Sequence, residues 1–486
     1  MRIFPKTGRR ASERRSATRT RLNVECLESR CLLDAGYAVT NLLSDIPGLA
    51  IHTDKDLTNP WGFALTPQGQ FRVSANHAGE SVLLTAKGNA LGAPVIIPPP
   101  AGSPPGTVAA PDGSALNTTA DFIISDDGRT APASFIISTE DGTLAGFNPA
   151  VDKRHAILVA DLSGTGAVFK TLTLASNGQG PVIFASDFRN DRVDIFDKNF
   201  NLVGSFTDPN PHAGFAPFGV HNLNGTIFVT FAKQDNPQNA HDDVEGPGNG
   251  FIDEFTTDGT FIKRFATGSA LAAGGLDVLN SPFGATVAPA SFGQFSSTPG
   301  NPVLLIGNFG SSQISAFNMT TGAFLGQLSD AAGHPLVING GITESDLKGL
   351  WGIRFGNGQG GTDPNTLYFA AGINAEADGL FGTVTAVSSS KAPRGDQTAQ
   401  GNALEVSALL ASAPRAAVES GPSVSRSQDS TQAAPIADIA FAADANSHPS
   451  PGQTETPVAR LNTIARSVRE RAIDQLFSAF DAIAGS

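Results

Sequence analysis

The sequence is poor in cysteine, tyrosine, tryptophan and charge. Both cysteines, Cys26 and Cys31, precede residue 37, so the rest of the chain contains neither a disulfide nor a cysteine nucleophile. Charged residues are 16% of the sequence, below the roughly 25% of an average soluble domain, whereas 53 Gly and 32 Pro suit many turns. The 32 Phe against 2 Tyr and 2 Trp favour a phenylalanine core, because Phe has no polar tip that needs a partner.

Long hydrophobic runs and common catalytic motifs are also missing. No apolar stretch approaches the ~18 residues of a membrane span, and none near the N-terminus reaches the about 7–15 of a signal-peptide core. The sequence contains no HExxH, GxSxG, paired CxxC, Walker loop or full EF-hand pattern, so it indicates no catalytic residue. The glycine-rich residues 356–361 lie between two predicted strands, which favours a turn over a phosphate site.

Charge is distributed unevenly along the chain. Residues 1–30 carry nine Lys/Arg and three Glu, a net charge of +6; because the whole chain carries −13, residues 31–486 carry −19. An acidic body has no basic stripe to neutralise phosphates, so we expect no nucleic-acid partner. By composition alone, residues 1–36 are predicted to form a disordered basic leader.

An aromatic residue followed by glycine and apolar residues recurs along the body. The four copies are NPWGFA at 59–64, APFGV at 216–220, SPFGA at 281–285 and GLWGI at 349–353. Each precedes short β-rich runs separated by turns, which is typical of a radial β-repeat. The pattern predicts an all-β protein with a six-bladed β-propeller over residues 37–387, five or seven blades being the alternatives.

The prediction assigns individual segments within this propeller. A lone β-run at residues 39–43 is expected to complete the last blade. Residues 98–118, rich in Pro, Gly and Ser, are predicted as a loop between blades, and residues 121–125 as a strand of the second blade. A polar insert at 233–249 interrupts the fourth blade.

The composition changes after the propeller. Residues 388–455 are rich in Ser, Ala, Pro and Gln, which predicts a disordered linker. Thr456 and Pro457 resemble a helix start, and apolar residues then recur every three or four positions. We predict an amphipathic helix at 456–484 that docks on the propeller or on a partner.

Loops at one end of the inner strands of a propeller converge on the central channel, and this places the candidate site. The predicted ligand-binding residues at the channel mouth are Asn59, Trp61, Lys233, Gln234, Asp235 and Trp351. The predicted metal ligands are Asp187, Asn190, Asn308, Asn374 and Glu376. Calcium is the candidate cofactor because it takes 6–8 oxygen ligands. The alternative is that these Asn and Asp residues bond backbone groups at strand ends.

A second acidic group lies in the polar insert, with His241, Asp242, Asp243 and Glu245. So many acids in one loop require a cation, Lys233 or solvent between them, and a solvated surface loop is the simpler interpretation. Glu140 and the next residue, an Asp, most simply form a hairpin turn.

Several ordered motifs also resemble a known family. They are NLLSDIPGLA at 41–50, NPWGFA at 59–64, IPPPAG at 97–102, STEDGTLAG at 138–146, AKQD at 232–235, DDVEGPGNG at 242–250, GNFG at 307–310 and AGINAEADGLFG at 371–382. Together they are similar to an uncharacterised family of exported bacterial six-bladed propellers of the NHL-like or YVTN-like type. That resemblance implies the fold but no reaction.

The leader carries a separate resemblance. The pattern V-E-x-L-E-x-R-x-L-L at residues 24–33 resembles an N-terminal export and sorting segment of planctomycete-type bacteria. It implies an exported protein at the cell surface or outside the cell, with a periplasmic location as one alternative and a cytosolic basic tail as the other.

These observations favour a binding or scaffold module, stabilised by calcium, whose partner is a small molecule, glycan or protein. The alternative is a metal-dependent hydrolase or lyase that resembles six-bladed lactonases, with an axial cation held by Glu376, Asn308, Asn374 and Asp187. A quinone-dependent dehydrogenase is disfavoured by the two Trp and the absence of a disulfide from the body.

Overall fold

The computed structural model describes residues 36–387, except residue 211 and residues 237–238, 269–277 and 342–347. The predicted linker at 388–455, the predicted helix at 456–484 and all but the last residue of the predicted leader lie outside the described residues.

The described chain forms strands that assemble into six sheets and one separate hairpin. The chain starts with β1 (Gly36–Ser44) and β2 (His52–Thr53). The first blade contains β3 (Pro60–Leu65), β4 (Phe71–Ala75), β5 (Glu80–Leu84) and β6 (Val95–Ile96). The second contains β7 (Pro111–Leu116), then the hairpin β8 (Ile123–Asp126) and β9 (Arg129–Pro132), then β10 (Phe135–Thr139), β11 (Thr143–Phe147) and β12 (Ile157–Asp161).

The remaining blades follow the same order. The third contains β13 (Phe169–Asn177), β14 (Gly180–Asp187), β15 (Arg192–Phe196) and β16 (Leu202–Phe206). The fourth contains β17 (Phe215–Leu223), β18 (Thr226–Lys233), β19 (Gly250–Phe255) and β20 (Phe261–Thr267). The fifth contains β21 (Pro282–Val287), β22 (Val303–Asn308), β23 (Gln313–Asn318) and β24 (Phe324–Gln327). The sixth contains β25 (Leu350–Phe355), β26 (Leu367–Ile373) and β27 (Asp378–Val387).

The sixth sheet joins the two ends of the described chain. Its strand order is β2-β1-β27-β26-β25, and β1 pairs antiparallel with β27, with Gly36 opposite Val387 and Ser44 opposite Leu380. The N-terminal strand therefore closes the circle, as the sequence predicts. The architecture is an all-β, six-bladed β-propeller.

Each inner strand has a register irregularity at the same place, and the residue there is buried. These six residues, called the axial ring below, are Trp61, Asp112, Lys170, Phe218, Phe283 and Trp351. Four of them are the aromatic residues of the sequence repeat. The second and third blades supply an acid and a lysine instead.

Glycine follows the ring residue in five of the six inner strands because the next inner strand packs against that position. A Cβ atom on Gly62 would lie 2.8 Å from the Asp112 carbonyl oxygen. One on Gly352 would lie 2.9 Å from the carbonyl oxygen of Trp61, in the first blade. The aromatic-glycine repeat is therefore a blade-packing signal, and its last copy contacts its first.

Phenylalanine fills the space between neighbouring sheets, as the composition predicts. Between the sixth and first blades, Phe71 contacts Tyr368 with ring centroids 4.4 Å apart, and Phe63 and Phe381 pack edge to face at 5.7 Å. These rings have almost no solvent exposure.

Two strand predictions for the second blade are wrong. The predicted loop at 98–118 contains β7, the inner strand of that blade, and residues 121–125 overlap β8, which pairs only with β9. Because β7 begins with Pro111 and continues Asp112-Gly113-Ser114, it has the composition of a turn and lacks the apolar run of the other inner strands.

Candidate axial binding site

A cavity of about 310 Å³ lies at one end of the propeller axis, on the side from which the inner strands start. This cavity is called the axial cavity below. Its wall is formed by Asn59, Trp61, His77, Glu140, Lys170, His241, Asp242, Asp243, Glu245, Phe309, Lys348, Trp351, Ala375 and Glu376. These residues come from blade loops far apart in sequence, which the closed circle of sheets brings together.

Stacked aromatic rings form the base of the axial cavity. The indole of Trp351 lies between Trp61 and Phe309, with ring centroids 3.7 Å and 4.0 Å away. Phe283 meets the same indole edge-on at 4.9 Å. The base is therefore closely packed, because each of these rings is at most 2% exposed.

A hydrogen-bonded chain connects this base to a carboxyl group. Trp351 Nε1 donates to Asn59 Oδ1 at 3.2 Å, and Asn59 Nδ2 donates to Glu376 Oε2 at 3.1 Å. The Asn59 amide also lies 3.2 Å from His77 Nε2. Asn59 thus orients Glu376 toward the cavity and is itself oriented by the indole.

Glu376 is in an unusual backbone and electrostatic environment. Asn374, Ala375 and Glu376 all have left-handed backbone, with φ of 57°, 50° and 67°, which costs side-chain-bearing residues energy. Burial, reinforced by the negative charge of Glu140, raises the pKa of Glu376 to about 7. Its carboxyl group is therefore poised to gain or lose a proton near neutral pH.

Lys170 places a buried ammonium beside the aromatic base. Its Nζ lies 2.5 Å from Glu140 Oε1 and 3.5 Å from Asp242 Oδ1, and 5.0 Å from the centre of the Trp61 ring. The side chain is 2% exposed. Burial opposes its charge, but the carboxylates of Glu140 and Asp242 outweigh burial and hold the pKa of Lys170 above its usual value.

The polar insert contributes the opposite wall. His241 Nδ1 lies 2.9 Å from Asp242 Oδ1, and this hydrogen bond holds the pKa of Asp242 well below its usual range and raises that of His241. Lys348 Nζ lies 2.8 Å from Glu245 Oε1. Burial raises the pKa of Asp243 to about 7, and its Oδ2 has no hydrogen-bond partner in the described chain.

One group of side chains has the spacing of a metal site. Ligand atoms of Glu140, His241 and Asp242 lie within 4.8 Å of one another. Two of these side chains already contact the Lys170 ammonium. A protein cation therefore neutralises the acids that a divalent ion would use.

Four of the predicted site residues meet in the axial cavity: Asn59, Trp61, Trp351 and Glu376. The insert residues Lys233, Gln234 and Asp235 are not part of its wall. Gln234 is buried and donates Nε2 to the Phe188 carbonyl at 2.6 Å, whereas Lys233 and Asp235 are exposed.

The other predicted metal ligands are bonded within their own blades. Asn190 Nδ2 donates to Asp187 Oδ2 at 2.7 Å. Asn308 Nδ2 donates to Ser315 Oγ at 3.0 Å, and Asn374 Nδ2 donates to Asp378 Oδ2 at 2.6 Å. Asp187 Oδ1 also accepts from the Val168 backbone N–H at 3.2 Å, and Asn308 Oδ1 accepts from that of Asn280 at 3.0 Å. These two contacts fit the backbone-bonding alternative, and cation binding by these residues stays a prediction.

Sequence reasoning missed Lys170, Lys348 and Phe309, and it interpreted Glu140 only as a turn residue. The sequence did offer one signal for Lys170, which is its position. It lies near the start of an inner strand, as Trp61 and Phe218 do. The cavity contacts of Lys348 and Phe309 depend on neighbouring blades and have no local pattern.

Comparison with known proteins identifies relatives but no activity. No family model matches the sequence. The uncharacterised protein L690 of Acanthamoeba polyphaga mimivirus is 31% identical over 359 residues, which cover 72% of this chain and 86% of that protein. This chain belongs to the L690 family. The uncharacterised protein R648 of the same virus is 29% identical over 357 residues, covering 72% and 80%.

The predicted membership of an uncharacterised six-bladed propeller family is confirmed, but these relatives of the L690 family are viral. The bacterial origin and export of this chain stay predictions.

Solved structures align with lower similarity. A streptogramin B lyase covers 72% of this chain and 98% of its own, at 12% identity and a TM-score of 0.41. The soluble aldose sugar dehydrogenase of Escherichia coli covers 72% and 99%, at 13% identity and a TM-score of 0.39. At these values neither structure bears on the activity of this chain.

Membrane-spanning helices are absent from the described part of the chain. None of its helices has the length and apolar character that a membrane crossing requires.

Proposed function

We propose that this protein is a binding module whose axial cavity binds a small ligand that carries a cationic amine. The observation that carries this proposal is that Glu376 and Asp243 line the cavity without an ion pair to any described residue. The acids Glu140 and Glu245, by contrast, each contact a lysine.

The local electrostatics support a cationic ligand. Burial makes both carboxyl groups costly to ionise, and this cost outweighs the charge of the nearby Lys170 and raises the pKa of Glu376 and of Asp243 to about 7. An incoming ammonium group would offset that cost by forming charge-assisted hydrogen bonds.

The aromatic base supports the same class of ligand. Cations bind favourably over indole rings, and the cavity already holds one such contact between Lys170 and Trp61. A ligand with an amine would bind the carboxyl groups of the cavity wall beside this aromatic base. The volume of about 310 Å³ suits a small molecule.

Calorimetric titration with paired ligands tests the proposal. The panel contains small primary and quaternary amines, each matched with a neutral isostere of the same shape. We expect the amines to bind and Glu376→Gln to weaken them by about 10- to 100-fold, since charged hydrogen bonds contribute about 1.5–3 kcal/mol. Glu80→Gln, which removes a carboxyl group outside the cavity, is the matched control. Equal binding of amines and neutral isosteres would contradict the proposal.

A second candidate function is acid–base catalysis by a hydrolase or lyase, as the sequence analysis considered. The left-handed run at 374–376 and the pKa of Glu376 near 7 favour it, because strained backbone and shifted carboxyl groups concentrate at reactive sites. Lactone and ester hydrolysis by the purified protein, compared with Glu376→Gln, tests this candidate. Turnover that is unchanged in that variant would exclude Glu376 as the acid or base.

Calcium binding and export complete the proposal and rest on the sequence. Elemental analysis after dialysis tests whether a divalent ion is bound in stoichiometric amount. Fractionation of cells that express the full chain tests export, since the leader at residues 1–36 supports a location outside the cytosol. Protein found only in the cytosolic fraction would contradict export.

A further inference from the structure

A second cavity, of about 380 Å³, lies on the other side of the axial ring. It is called the inner channel below, and its wall is formed by the parts of the six inner strands that follow the ring residues. The inner channel differs from the axial cavity in charge, because its wall contains no aspartate or glutamate.

Arg354 is the charged residue of this wall. It lies on β25 and its side chain is exposed to the inner channel. The backbone of Arg354 is paired with Tyr368 in the sheet, but its side chain makes no hydrogen bond or ion pair within the described residues. Burial lowers the pKa of Arg354, but a guanidinium keeps its proton at neutral pH.

Hydrogen-bond donors line the same channel. Thr173 Oγ1 accepts from the Asn222 backbone N–H at 3.3 Å, so its hydroxyl proton is free to be donated elsewhere. Thr171 and Thr286 add further hydroxyl groups.

The imidazole of His221, which also lines the channel, offers no positive charge to an anion. His221 Nε2 lies 2.7 Å from the Phe283 carbonyl oxygen and donates to it. Burial, together with the charge of Arg354, lowers the pKa of His221 to about 4, so this imidazole is neutral at physiological pH. Arg354 therefore provides the channel's positive charge.

We propose that the inner channel binds a small oxyanion, a carboxylate or a phosphate, through the guanidinium of Arg354. A guanidinium matches two oxygens of either group with two parallel N–H bonds. Such a ligand would give the unpaired guanidinium a charged partner inside the channel. The site is separate from the axial cavity and does not depend on the function proposed for it.

Calorimetric titration of the full chain with phosphate, sulfate and acetate, at constant ionic strength set with potassium chloride, tests this proposal. We expect at least one of these anions to bind to the wild type. Arg354→Gln should weaken binding by about 10- to 100-fold. The comparison of acetate with phosphate distinguishes the two sources of oxyanion.

Two further variants guard against indirect effects. Arg154→Gln makes the same charge change at an exposed site outside the channel and should bind like the wild type. Arg354→Lys keeps the charge but loses the two-pronged geometry, so it should bind with intermediate strength if the fold is intact. Absence of binding by all three anions, or equal binding by the wild type and Arg354→Gln, would overturn the proposal.

Discussion

The indole of Trp61 in the first blade stacks on that of Trp351 in the sixth, with ring centroids 3.7 Å apart. This contact joins the ends of the propeller at the axis, while β1 and β27 join them within the sixth sheet. The same indoles form the base of the axial cavity. Ring closure and the proposed ligand site therefore share one pair of side chains.

Truncation of this pair should destabilise the whole propeller. Trp351→Ala removes a ring that is 1% exposed and contacts four other aromatic residues, so we expect a loss of about 3–5 kcal/mol. Equilibrium unfolding in urea measures the loss. Leu202→Ala, at an exposed site on β16, should change stability by less than about 0.5 kcal/mol. Similar values for the two variants would disprove the closing role of Trp351.

The glycine after the axial ring should not accept a methyl group. The Cβ atom of Gly284→Ala would lie 2.6 Å from the Trp351 carbonyl oxygen, and relief of this clash should cost about 1–3 kcal/mol. Thermal unfolding provides the measurement. Gly164→Ala is the control, because nothing lies within 4 Å of its new Cβ atom. If both variants melt at the same temperature, blade packing does not require glycine at position 284.

Lys170 should be essential while its acidic neighbours are charged. Lys170→Met leaves Glu140 buried without its cation, for which we expect a loss of about 3–5 kcal/mol. Adding Glu140→Gln to that variant should restore part of the stability, and the double-mutant cycle gives the coupling.

The Lys170 effect should also persist as pH rises. Because the pKa of Lys170 is raised in the folded state, its contribution is complete below its unfolded pKa of about 10.4 and is lost only as pH rises through the folded value. The loss measured at pH 6 and pH 9 should therefore be similar. A loss confined to one of these pH values would show that another group controls it.

Glu376 should make the folded protein less stable as pH rises, whereas a salt-bridged acid makes it more stable. Its pKa rises from 4.5 to about 7 on folding, so the folded state retains a proton that the unfolded state releases. Relative to Glu376→Gln, the wild type should lose roughly 3 kcal/mol between pH 4.5 and 7 and then remain constant. Denaturant titrations of both proteins at several pH values measure this difference. A difference that is flat across this range would show that Glu376 ionises normally.

The ring of blades could be predicted because four copies of the aromatic-glycine motif are visible in the sequence. The two copies that escaped detection have Asp112 and Lys170 in place of an aromatic residue, so the pattern that was searched for is absent there. Pro111 and Gly113 also gave β7 the composition of a loop.

The candidate site was predictable only in part for a related reason. Asn59, Trp61 and Trp351 belong to the repeat, and Glu376 lies in a conspicuous polar turn. The contact of Lys170 with Glu140 and Asp242 crosses three blades, however, and no spacing in the sequence encodes it. Arg354 is one residue in an ordinary strand. Its side chain lacks an acidic partner in the channel because the other inner strands place no aspartate or glutamate in the wall.

The pairing of β1 with β27 has a consequence for biosynthesis. The strand at Gly36–Ser44 leaves the ribosome before every blade, yet its partner at Asp378–Val387 is made after the other described strands. During translation this early segment has an open hydrogen-bonding edge while five complete sheets form behind it. A nascent chain that stalls before residue 378 therefore leaves one edge of β1 and one edge of β26 without their hydrogen-bonding partner.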